Sequence, residues 1–162
     1  MYRVRDKVIL QGTNMEQAKP MKLMALDKED LQIISSMVQD SVLKLADIKY
    51  LPAERRLVLT MNRYLWETDA NNQKQKMRAR SVLSISRVDA VKAQKINQTN
   101  KDMVLSLLCV LFEETNAPAG QLKLEFSGGA AIAANIECIE AQLADLGAVW
   151  ETDNRPEHHL EG

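Results

Sequence analysis

The sequence predicts an α+β domain, mainly antiparallel β, in which seven short strands curl into a partly open barrel. Three observations predict it. Between residues 41 and 136 apolar and polar side chains alternate in short runs, the period of half-buried strands. Polar or Gly/Pro-containing breaks recur about every ten residues, as in all-β sandwiches and barrels. An amphipathic helical pattern flanks this stretch on each side.

Residues 1–20, up to Pro20, show no sustained periodicity and mix charge with Gln, Asn and Gly. They read as a flexible N-terminal extension, with Met21 as an alternative start. Asp27 is a good helix N-cap, with acids filling the first turn. Leu31, Ile34, Met37 and Val38 then follow at helical spacing, so a helix is expected over 28–39. After Asp40 the rhythm changes to strand-like alternation through Leu43, Leu45, Ile48 and Tyr50, with a slip of phase near Asp47. Pro52-Ala53-Glu54-Arg55 reads as a tight turn, and Leu57, Leu59 and Met61 open the second arm of a hairpin.

Residues 67–77 form a polar loop, and a third strand starts at Arg78, with Leu83 and Ile85 on one face. A fourth runs from Val88 to about Lys95. Met103 to Phe112 is apolar on both faces, which fits a strand covered on both sides or one half of an interface. Asn116 to Gly120 is a turn, Leu122, Leu124 and Phe126 alternate cleanly, and Ser127-Gly128-Gly129 suits a two-residue hairpin connection. The seventh strand is Ala130 to Ile136. Ile139, Leu143 and Leu146 fall at i, i+4 and i+7 and stop at Gly147, which predicts a C-terminal helix capping the barrel. The domain is therefore expected over residues 21–150, with a flexible tail over 151–162.

Composition narrows the function classes. The 162 residues suit one domain with a sizeable core. Aromatics make up 4%, so stacking platforms for single-stranded nucleic acid are not expected. Cys109 and Cys138 stand apart, without the ligand set of a zinc site or the density of a disulfide framework. The apolar run Val8–Leu10 is too short for a signal peptide, and no stretch approaches a membrane span. A cytoplasmic location is the expectation. The net charge is −1 but unevenly spread: residues 49–95 carry 11 basic and 4 acidic side chains, and residues 96–162 carry 3 and 11.

The element order resembles the pleckstrin-homology-like barrel with an extra helix in front, and a lipocalin-like barrel is the second choice, though it would want eight strands. A closer resemblance lies in three stretches. They are Met21-Lys-Leu-Met-Ala-Leu-Asp-Lys-Glu-Asp-Leu31, Tyr50-Leu-Pro-Ala-Glu-Arg-Arg56 with Asn62-Arg63, and Glu137-Cys-Ile-Glu-Ala-Gln-Leu-Ala-Asp-Leu-Gly147. Together they resemble a bacterial protein family recorded only as a domain of unknown function, over about Met21 to Trp150. That resemblance implies no activity and no catalytic residues.

Each candidate for chemistry has a plainer reading. Cys138 would start the last helix, where a thiolate is favoured, but Glu137 and Glu140 oppose it and no histidine stands near in sequence. His158-His159 in the tail is a poor frame for a metal. Glu137 and Glu140 have a structural reason at a helix N-terminus. Ser127-Gly-Gly129 lacks the Lys and Ser/Thr of a phosphate loop. No catalytic residue, metal or cofactor is expected, and an enzyme with a barrel-mouth pocket ranks last.

The basic middle is the best lead. Arg55, Arg56, Arg63, Lys74, Lys76, Arg78 and Arg80 lie on a hairpin, the loop after it and the next strand. If they converge they form a patch for an acidic or phosphate-rich partner. Lys49 with Arg55 and Arg56 resembles the first-hairpin site where some pleckstrin-homology domains hold lipid head groups, though the spacing fits that motif poorly. Alternatively the acidic half of the chain neutralises these charges, within one molecule or across a self-complementary dimer. The doubly apolar strand Met103–Phe112 and the lack of catalytic groups make the expected function a non-enzymatic protein-interaction module, whose partner is another protein or a second copy in a homodimer. Anionic-ligand binding, to nucleic acid or an acidic head group, is the alternative, with no nucleic-acid motif to support it.

Overall fold

The computed structural model describes residues 2–3, 20–70, 76–152 and 156. Most of the expected extension and tail, and with them Lys74, His158 and His159, lie outside these residues. Asp27 opens the first helix as its position predicts. Its Oδ1 accepts the Asp30 N–H at 2.9 Å, and helix α1 runs over Lys28–Val38. Leu31, Ile34 and Val38 are buried on one stripe, which is the face the 3.6-residue period selects.

Eleven strands are present among the described residues, against the seven expected. The first half of the chain supplies β1 (Tyr2–Arg3), β2 (Lys22–Ala25), β3 (Ser41–Lys44), β4 (Ile48–Leu51) and β5 (Arg56–Tyr64). After a short helix α2 (Trp66–Ala70) come β6 (Met77–Ile85), β7 (Val88–Gln94) and β8 (Val104–Asn116). Strands β9 (Ala119–Phe126), β10 (Ala131–Ile136) and β11 (Ala141–Glu151) complete the sheet. Strands β1 and β2 are too short for their periodicity to be read, the expected first strand is divided into β3 and β4, and β11 stands in place of the expected C-terminal helix. All pairings are antiparallel except β1 with β2.

The path runs β1-β2-β11-β6-β5-β3-β8-β9-β10-β7, with β4 beside β5, and its two ends do not pair. A 3-10 turn over Leu45–Asp47 produces the slip of phase and lets β3 and β4 share one neighbour. Strand β5 meets β3 at Asn62 and β4 from Leu59 back to Arg56. A second 3-10 turn over Pro52–Glu54, with Arg55 left-handed at φ +52°, closes the hairpin. The sheet curls around a single large core drawn from nearly every strand and from α1.

The expected C-terminal helix is a strand. Ile139 and Leu143 are four apart, a spacing that satisfies both the helical and the alternating period. Ala141 between them decides the matter: it is buried, as are Ile139 and Leu143, while Glu140 and Gln142 face away. Strand β11 is central, bonded to β2 on one side and β6 on the other. Leu146, expected inside, is 57% exposed where the register slips between Asp145 and Val149. Gly147, with φ +99°, belongs to that bulge and not to a helix end. The helix that packs against the sheet is α1, which contacts β8, β2 and β5.

Strand β8 resolves the doubly apolar segment. Leu105, Leu107 and Val110 face the core, whereas Val104 and Leu111 are exposed on the other side. Beyond the end of β3 the helix takes over this edge: the Val110 N–H donates to Ser35 Oγ at 2.8 Å. The Ser127-Gly128-Gly129 turn does join β9 to β10, with the Phe126 N–H donating to the Ala130 carbonyl at 2.8 Å. The connection holds four residues instead of two. Among the described residues no helix is long and apolar enough to cross a membrane.

Candidate functional site

Residues opposed across antiparallel strands share a face of the sheet. Register therefore maps the outer face of β4, β5, β6, β11 and β2 row by row. One row reads Lys49, Val58, Ser84, Gln142 and Met24. On one side of it lie Leu51 and Arg56, then Ser86, whose N–H donates to the Glu140 carbonyl at 2.9 Å. On the other side lie Thr60, Val82, Ala144 and Lys22, and beyond them Val42, Asn62 and Arg80.

Two hollows open on this face. The first, of about 370 Å³, is lined by Met24, Arg56, Val58, Val82, Ser84, Ser86 and the 140–142 segment. The second, of about 390 Å³, lies over Val42, Lys44, Asp47, Asn62, Arg80 and Val104. Val58, Val82, Ser84 and Ser86 in the first hollow and Val42 and Val104 in the second are small or β-branched, so the twisted sheet forms a shallow trough there.

The described basic residues singled out from sequence separate into four groups. Arg56, Arg78 and Arg80 are on the outer face. Arg80 donates to Asn62 Oδ1 at 3.0 Å and lies 3.7 Å from Asp47. Arg78 donates to the Asn62 and Asp40 carbonyls at 3.0 and 3.3 Å and rests 5.7 Å from the centre of the Tyr64 ring. Burial lowers its pKa below the usual arginine value. Arg55 sits at the rim, bound to Asp89 at 2.6 Å and 3.5 Å from Glu137, and its hydrogen bond to Asp89 leads the causes that raise its pKa. Lys76 is exposed before β6.

Arg63 is elsewhere: it points into the core, with no exposed side-chain surface. Its guanidinium donates to both oxygens of Glu67 at 3.0 and 3.1 Å, and to Asp145 Oδ2 at 3.0 Å and Oδ1 at 3.3 Å. Asp145 also accepts the Ser81 hydroxyl at 2.5 Å. Burial alone would lower the Arg63 pKa; the two carboxylates more than offset it and raise it. This knot ties β5, α2, β6 and β11 together. Its Asp145 contact joins the acidic half of the chain to the basic half, as do the contacts of Arg87 with Glu137 and Glu140 at 3.9 and 3.8 Å, while Glu67 comes from the basic half itself.

Sequence reasoning did not single out Lys22 and Lys44. Their signal was parity: each occupies an outward position on its strand, in register with Ala144 and Val104. With Lys49 and Arg56 they form four cations that make no ion pair within 4 Å among the described residues. The outer face thus carries Lys22, Lys44, Lys49, Arg56, Arg78 and Arg80 against Asp47 and Glu140.

Cys138 lies in the turn before β11 and not on a helix, so no helix dipole acts on it. Among the described residues no three His, Cys, Asp or Glu side chains cluster as metal ligands. Both cysteines are free. Burial pushes the Cys109 thiol up to about 11, aided by its hydrogen bond to Glu125 at 3.4 Å. At pH 8 Cys109 is expected to alkylate about a hundredfold more slowly than in the denatured chain, as read by iodoacetamide labelling and mass spectrometry. Because the folded pKa is raised, its contribution to stability is complete below the ordinary thiol value of 9.0 and is lost as pH climbs towards 11. Equal labelling rates in the folded and denatured chain would contradict this environment.

A family model described as "Protein of unknown function (DUF2948)" matches residues 21–158. The match begins at Met21, where the sequence resemblance also begins. No curated protein and no solved structure matches the chain.

Proposed function

The chain belongs to the DUF2948 family of proteins of unknown function, and for this member we propose a non-enzymatic binding module that receives an acidic protein segment on the outer face of its sheet. The observation that carries the reading is the set of four cations, Lys22, Lys44, Lys49 and Arg56, at outward positions of one sheet face, with no ion pair among the described residues. A sheet face with small side chains on its floor and cations around it can accept an extended chain bearing carboxylates. The row from Lys49 to Met24 offers no aromatic ring for stacking bases, which favours protein over single-stranded nucleic acid. The finer likeness to a pleckstrin-homology-like barrel is part of the same reading: a curled antiparallel sheet plugged by a helix, with α1 serving in place of a terminal helix. So is a cytoplasmic location, which suits two unpaired cysteines.

The test is a fluorescence-anisotropy titration of a labelled Asp/Glu-rich peptide at low and at physiological salt. Binding is expected at low salt, to weaken as salt rises, and to fall by about 10- to 100-fold in the K44E/K49E/R56E variant. All three positions are exposed, so the variant should keep its fold. An affinity indifferent to these reversals, or no binding at low salt, would remove the reading. Light scattering on the same samples tests the homodimer: an assembly that K44E/K49E/R56E dissociates would make a second copy the acidic partner.

A further inference from the structure

The hollow at the Arg56 end of the trough is built differently from the rest of the face. Arg56 is exposed, makes no ion pair among the described residues, and is separated from Glu140 by Ser86, so a guanidinium and a carboxylate stand at opposite sides of one row. Directly behind them Ser84 and Gln142 occupy the next row, flanked by the apolar side chains of Val58 and Met24, with Val82 one row further. All of these residues line the same hollow of about 370 Å³, within the range of roughly 300–1,000 Å³ that small-ligand sites occupy. Polar hydrogen-bonding groups are thus concentrated beside one unpartnered cation, with an aliphatic strip leading away from it.

We infer that this hollow is a carboxylate-recognition subsite, in which Arg56 takes the carboxylate and the Met24, Val58 and Val82 strip takes the aliphatic chain that carries it. The planar fork of a guanidinium matches a carboxylate with two parallel hydrogen bonds. Ser84, Ser86 and Gln142 supply further donors within the same hollow. Glu140 at the far side is held 3.8 Å from Arg87, and the negative charge it keeps repels a phosphate dianion more than a carboxylate monoanion. The inference deepens the proposal that the outer face binds acidic protein, because the carboxylate can be the side chain of a bound Glu. A free alkyl carboxylate presents the same chemistry, and the two sources are separated by experiment.

Amide shifts of the whole chain, followed by two-dimensional NMR, test it with three probes: hexanoate, inorganic phosphate, and an N-acetylated, C-amidated peptide of alternating Glu and Leu. Hexanoate and the peptide are expected to shift residues 56–58, 84–86 and 140–142 saturably, and phosphate is not. R56M should weaken both by about tenfold or more, and R56K should fall between, since it keeps the charge and loses the fork. Peptide binding without hexanoate binding assigns the subsite to a protein ligand, and the reverse assigns it to a free carboxylate. Phosphate shifting the same residues as strongly as hexanoate, or R56M binding as tightly as the natural chain, overturns the inference. If K44E/K49E abolishes peptide binding while R56M leaves it intact, the subsite falls and the acidic-partner reading stands. If hexanoate binds through Arg56 and no acidic peptide does, the subsite stands and that reading falls.

Discussion

Arg63→Met is expected to destabilise the protein by about 3–5 kcal/mol, the cost of removing one partner from a buried ion pair. Arg63 has no exposed side-chain surface, and the Glu67 and Asp145 side chains it binds are only 17% and 10% exposed. Methionine fills much of the same volume, so packing is nearly kept and the loss isolates the charge. What remains is a pair of carboxylates facing one apolar side chain, short of the four hydrogen bonds Arg63 donated. Urea unfolding measures the free energy, and a thermal midpoint lowered by about 10 °C would accompany it. The triple variant R63M/E67Q/D145N should recover part of the loss, because no uncompensated charge is then buried and the amide oxygen introduced by D145N still accepts from Ser81. A loss under about 1 kcal/mol for R63M, the value of a surface pair, would mean that water reaches this site. The partly exposed Arg80 offers the internal contrast, since Arg80→Met should cost no more than about 1 kcal/mol.

Arg63 also shows where reading the chain one residue at a time stops. It belongs to the basic stretch, and nothing local distinguishes it from Arg56, seven positions earlier. Strand parity does distinguish them: in β5 the odd positions Leu57, Leu59 and Met61 point inward, which puts Arg63 among them and Arg56 outside. The alternation was legible, and so was the hairpin of β4 and β5 with its turn. The charge at an inward position requires a buried partner, but Asp145 lies 82 residues away and can only be found once β5, β6 and β11 are in register. The outer face is a product of the same registers. Lys22, Lys44 and Lys49 are scattered over separate strands in sequence and become one surface only through pairing, whereas the contiguous run from 55 to 80 is divided among rim, face and core.

The strand at the end of the chain supplies the other large effect. Leu143→Ala is expected to cost about 2–5 kcal/mol, whereas Leu146→Ala should stay within about 0.5 kcal/mol of the natural chain. The helical reading of 139–147 predicts comparable losses at both positions, because leucines three apart fall on the same buried stripe. In the strand they part company. Leu143 is fully buried, opposite Leu83 on β6 and Leu23 on β2, so truncation opens a cavity that two neighbouring strands cannot collapse to fill. Leu146 stands on the bulge after Asp145, more than half exposed, and has little to lose. Urea unfolding of the two variants side by side decides between the geometries, and similar large losses would restore the helix. The outcome also bears on the binding face: the inward packing of Leu143 fixes the phase of β11, and that phase is what turns Gln142 and Glu140 outward beside Ser84 and Ser86.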